Sequence, residues 1–209
     1  MNKDKDQIMI SIGGFGGCNL SEALKKIGYS RSPYDWNLTY QSAVIDSILN
    51  LTPLFVFDKK YYSDAPSSIH KVLKNEKNTA LDMHYFHNDY ETDVDKIKEM
   101  YDRRLKRLSE NLNSNVNKIL VRRIHSDSGH PGIEGNKEMD CIEKWINFYN
   151  IIKQKYTNIK LLLISNEYEY SFKKSLCEGA LLINDADIFD NKEQKLFYEL
   201  KETFYDEIL

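Results

Sequence analysis

The chain has 209 residues, of which 41 % are apolar and 12 % aromatic, so it can build the core of one domain and is not disordered by composition. Net charge is -3, from 29 basic and 32 acidic residues, which leaves no electrostatic footprint for nucleic acid. The three cysteines, Cys18, Cys141 and Cys177, are odd in number and lack a CxxC pair, which excludes a disulfide framework and a cysteine zinc site.

In chain order, Met1 to Asp6 is charged and leads into an apolar run too short for a signal sequence or a membrane span. The expectation is an intracellular, cytoplasmic protein, with no membrane or nucleic-acid partner, no metal and no cofactor. Ile8 to Ile12 reads as a buried strand ending in glycines. Leu20 to Ile27 has helical spacing, with Asn19 as cap, Glu22 three residues later, and Gly28 as the stop. A turn-rich segment, Ser30 to Asn37, precedes a helix over Thr39 to Leu49. Leu54 to Phe57 reads as a strand, Tyr61 to Asn78 is polar without a clear period, and Ala80 to Phe86 is a weak strand.

Asp93 to Asn111 carries the clearest apolar stripe of a helix. Lys118 to Ile124 is a strand, Lys137 to Tyr156 a long helix, Ile159 to Ser165 a continuous apolar strand, Leu181 to Asn184 a short one, and Glu193 to Ile208 a closing helix. Strands that alternate with helices and are apolar on both faces predict an α/β fold. The expected form is a three-layer, mostly parallel sheet with helices on both faces, Rossmann-like, in one domain over residues 1–209.

Ligands of such sheets bind beyond the carboxyl ends of the strands. That rule selects the loops Gly13 to Cys18, His125 to Gly135 and Asn166 to Ser171. The first holds four glycines in five residues, Gly13, Gly14, Gly16 and Gly17 around Phe15, and then Cys18. Glycines let the backbone approach a ligand or present amides to an anion. A cysteine at a helix start has its thiol pKa lowered by the helix dipole. The spacing is not GxGxxG and no GK[ST] follows, and a lone cysteine after a strand is commonly a small core residue.

The stretch Ser11-Ile12-Gly13, Cys18, and Ala23 through Tyr34-Asp35-Trp36 resembles the opening of a family of unknown function described as papain-like cysteine peptidases, found in bacteria and large DNA viruses. A second, looser landmark is His87-Asn88-Asp89, followed by Tyr101-Asp102-Arg103-Arg104 and Ile119 to Arg123, so that the resemblance covers residues 8–124. Tyr34 stands where the family has Phe, and Asn88 separates a His and an Asp that are adjacent there. The resemblance implies a nucleophile, Cys18, a base, His87, and an orienting carboxylate, Asp89, with His84 as the alternate base. A papain fold would set the cysteine helix against a separate antiparallel sheet; the alternation of elements favours the parallel α/β sheet.

A rival pair stands in Asp127-Ser128-Gly129-His130-Pro131, which looks like the Asp-His block of esterases whose nucleophile follows the first strand. His130 would be the base and Asp127 its orienter; the plainer reading is a polar loop before a helix. Asp35 and Trp36 lie in a Pro-containing turn, where Asp35 either caps the next helix or binds a substrate hydroxyl, and Arg31 either pairs with Asp35 or binds an anion. Arg103, Arg104, Lys106 and Arg107 read as a solvated helix face. His70 and His125 have no partner at metal-ligand spacing. Asp185, Asp187 and Asp190 read as a solvated loop, and Cys141 and Cys177 as core in helical context. Three functions follow. The first is a cysteine-dependent hydrolase using Cys18. The second is a Rossmann-like transferase or binding domain gripping a phosphate or sugar nucleotide at Gly13 to Cys18. The third is a non-catalytic partner-binding protein.

Overall fold

A computed structural model of the chain describes residues 7–14, 20–21, 24–25, 29–35, 37–52, 71–75, 78–85, 94–124, 140–165 and 173–184. Its strands are β1 (Gln7–Gly14), β2 (Asn37–Leu38), β3 (Lys71–Asn75), β4 (Asn78–Tyr85), β5 (Asn117–Arg123), β6 (Ile159–Ser165), β7 (Lys173–Cys177) and β8 (Ala180–Asn184). Its helices are α1 (Gln41–Asn50), α2 (Val94–Asn113) and α3 (Ile142–Lys155). Leu20, Ser21, Leu24 and Lys25 are also helical.

The main sheet has five strands in the order β1-β5-β6-β8-β7. The first four are parallel and β7 is antiparallel to β8, so the sheet is mostly parallel and the fold is α/β. Parallel strands need both faces covered, which is why these runs are apolar without alternation. Pleating sends successive side chains to opposite faces. Ile10, Ile12, Leu120, Leu161, Leu163 and Leu182 join one apolar cluster with Ala43, Val44 and Ile48 of α1 and Trp145, Phe148 and Ile152 of α3. Met9, Ile119, Val121, Leu162, Ile164, Leu181 and Ile183 join a second with the helical residues Leu20 and Leu24.

A second sheet of three strands, β2-β4-β3, is antiparallel. Asn37 pairs with Tyr85 and Leu38 with His84, so β4 runs toward the Asp35 end of β2. Neither this sheet nor β3 was expected, because the polar stretch Tyr61 to Asn78 shows no period of two. β7 also departs from expectation: Cys177 ends a strand rather than lying near a helix, and Lys173 and Lys174 fit an edge position, where charge blocks further pairing. The helix expected from Lys137 starts only at Ile142, with Asp140 and Cys141 outside it. Cys141 and Cys177 are partly buried rather than core. α1 begins after Tyr40 with no side-chain cap, so Asp35 does not cap it. The strand expected at Leu54 to Phe57 and the closing helix lie outside the described residues.

Leu161 and Leu162 are neighbours on the central strand β6 and are fully buried on opposite faces. Truncating either to alanine is expected to cost about 2–5 kcal/mol in urea denaturation. A cost below about 1 kcal/mol at Leu162 would contradict a packed second face.

Candidate functional site

β1 leaves the sheet through two glycines with left-handed backbone, Gly13 at φ 70° and Gly14 at φ 122°. A side chain is barred at both positions by contact as well as by conformation. A Cβ on Gly13 would run into the Thr39 side chain, and one on Gly14 into the Arg123 carbonyl. The Gly13 amide donates to Ser11 Oγ at 3.3 Å and the Gly14 amide to Thr39 Oγ1 at 3.0 Å. These two amides are therefore engaged inside the protein.

Thr39 in turn is held by Arg122, at the end of β5. Nη1 of Arg122 donates to Thr39 Oγ1 at 2.8 Å and to the Ile12 carbonyl at 3.1 Å. Nη2 donates to the Thr39 carbonyl at 2.8 Å and to both oxygens of Asp140. Nε donates to Asp140 Oδ1 at 3.1 Å. A guanidinium has five N–H groups, and all five are used here. The Arg122 and Asp140 side chains are each only 1 % exposed. The Trp145 ring lies under the guanidinium at 4.9 Å, and its Nε1 donates to Asp140 Oδ1 at 3.0 Å. Gln41 closes the far side by exchanging hydrogen bonds with the Cys141 main chain. The ends of β1, β5 and β2 and the starts of α1 and α3 thus meet at one buried polar node.

Beside it lies a cluster of hydroxyls around Asp35, which is buried. The Ser32 amide donates to Asp35 Oδ2 at 2.9 Å, and the Ser32 and Ser21 hydroxyls reach Oδ1 at 3.4 and 3.5 Å. The Tyr29 hydroxyl is buried beside the carboxylate. Burial pushes the Asp35 carboxyl up to about 6, against the pull of the Ser32 amide and the charge of Arg104. Burial and the Asp35 charge raise the Tyr29 phenol. Arg31 is exposed. The nearby cation is Arg104, which is 8 % exposed and stacks over Tyr101, whereas Arg103, Lys106 and Arg107 do face solvent.

Of the residues singled out in the sequence, Gly13, Gly14 and Asp35 are therefore brought to the carboxyl end or the edge of β1, and His84 is placed by backbone pairing opposite Leu38. Gly16, Gly17, Cys18, Trp36, His87, Asp89, Asp127 and His130 lie outside the described residues, as do His70, His125 and Asp185 to Asp190. Sequence reasoning gave no site role to Thr39, Asp140 or Ser21, named Arg122 only within the strand Ile119 to Arg123, and read Arg104 as part of a solvated helix face, which its burial corrects. The available signal was an arginine at the end of an otherwise apolar strand, whose charge requires a buried partner. Among the described residues no group of three or more His, Cys, Asp or Glu residues forms a metal cluster, and no helix is long and apolar enough to cross a membrane. No family model, curated protein or solved structure matches the chain.

Asp35 titrates near 3.8 when unfolded and about 6 in the fold, so the folded state binds the extra proton between those values. Stability contributed by this proton is present below about 4 and is lost as pH rises through 6. Urea midpoints measured from pH 4 to 7 are expected to carry this slope in the parent and to lose it in Asp35→Asn. Identical slopes in the two proteins would contradict the assignment.

Proposed function

We propose that the chain is a cysteine-dependent hydrolase working at the carboxyl end of a three-layer, Rossmann-like sheet, with Cys18 as nucleophile. His87 is its base and Asp89 orients the imidazole; His130 and Asp127 are the second pair. The imidazole takes the thiol proton, the thiolate sulfur bonds to a substrate carbonyl carbon, and the leaving group departs with that proton. Water then cleaves the thioester and restores the thiol. A reducing cytoplasm keeps Cys18 free for this role.

The observation that carries the reading is the convergence on residues 37–39. Thr39 Oγ1 accepts the Gly14 amide, at the point where the loop to Cys18 begins. Leu38, the preceding residue, pairs with His84, and Asn37 with Tyr85, two residues before His87 in the chain. The start of the nucleophile loop and the end of the histidine strand therefore flank the same three residues. The engaged amides of Gly13 and Gly14 count against a phosphate nest built from the whole loop.

Alkylation by iodoacetamide at pH 7, followed by mass spectrometry, tests this. Cys18 is expected to react at least about 10-fold faster than Cys141 and Cys177, as a thiol with a lowered pKa does. The excess is expected to vanish in His87→Ala. A Cys18 rate at or below that of the other two would overturn the reading.

A further inference from the structure

We infer that Thr39 is the positioning residue of this site, its hydroxyl fixing the strand exit from which the Cys18 loop departs. The inference rests on the proposed role of Cys18. Thr39 lies between the last residue of β2 and Tyr40, whose carbonyl accepts the first bond of α1 from Val44. Its own carbonyl is gripped by Arg122 Nη2. The hydroxyl is thus placed by β2, α1 and β5 before it touches the loop.

From there Oγ1 accepts two hydrogen bonds, from the Gly14 amide and from Arg122 Nη1. The same side chain covers Gly13 so closely that only glycine fits beneath it. Without the hydroxyl, the buried Gly14 amide has no acceptor at this point, and a buried amide does not stay unpaired. The strand exit must then shift to find one. Arg122 loses one of its five partners as well, so the disturbance reaches Asp140 and the start of α3.

A threonine that only packs would tolerate valine, which keeps its shape, and would suffer from serine, which loses the methyl. A positioning hydroxyl gives the reverse order. The test uses the full chain with Thr39→Ser and Thr39→Val, and reads alkylation rates of all three cysteines by iodoacetamide from pH 6 to 9. Thr39→Ser is expected to keep the Cys18 rate at pH 7 within about 3-fold of the parent, while Thr39→Val loses on the order of 10-fold or more. In Thr39→Val the midpoint of the Cys18 rate profile moves to higher pH, and Cys141 and Cys177 stay unchanged. Parental rate and midpoint in Thr39→Val, or an equal loss in Thr39→Ser, would overturn the inference. If Thr39→Val unfolds, all three thiols react alike, and Thr39→Ala, which adds no bulk, carries the same two outcomes. A parent in which Cys18 reacts no faster than the other cysteines sinks the hydrolase reading first, before any variant is compared, and the inference with it.

Discussion

Arg122 brings a full positive charge to the carboxyl end of a buried strand, where an unpaired guanidinium would cost several kcal/mol. The rest of the structure is arranged so that this charge has partners. Asp140 neutralises it through a two-oxygen contact, and the Ile12 and Thr39 oxygens take the remaining donors. Lysine cannot replace it, because a point charge with three donors does not match this planar set of acceptors. A buried pair of this kind adds little net stability over an apolar core, but it tolerates few alternative arrangements. Its yield is geometry: it fixes which loop ends lie together above the sheet.

That constraint explains the glycines. Gly13 and Gly14 are required by the close approach of Thr39 and of the Arg123 carbonyl, and by positive φ at both. Gly13 and Gly14 therefore form the exit of β1, with both amides engaged inside the protein. The Asp35 cluster adds a second polar patch against the same strand, joined through Ser21 to the helical residues that follow Cys18 in the chain.

The parallel core was legible because its signal is local. Ile8 to Ile12 and Ile159 to Ser165 are continuous apolar runs, and both are strands of the mostly parallel sheet. β3 and β7 were not, since Lys71 to Asn75 and Lys173 to Cys177 carry charged residues and no apolar alternation. The node was hidden for a different reason. Arg122 meets Thr39 at a separation of 83 residues and Asp140 at 18, so no window along the chain contains the set. Asp140 was read as helical because the periodic stripe of α3 extends back to Met139, while the helix itself begins after Cys141. Asp35 was noticed, but its burial among Ser11, Ser21 and Ser32 depends on contacts between distant segments.

The proposed function requires that Cys18 and His87 titrate as a pair. The most direct measurement is the NMR titration of the five histidine rings in the parent and in Cys18→Ala. In a coupled pair the thiolate stabilises the imidazolium. The His87 midpoint should then lie above the ordinary value of about 6.5 in the parent and fall back toward it in Cys18→Ala, with the other rings unmoved. An unchanged His87 midpoint, whether no ring moves or His130 moves in its place, would contradict the account.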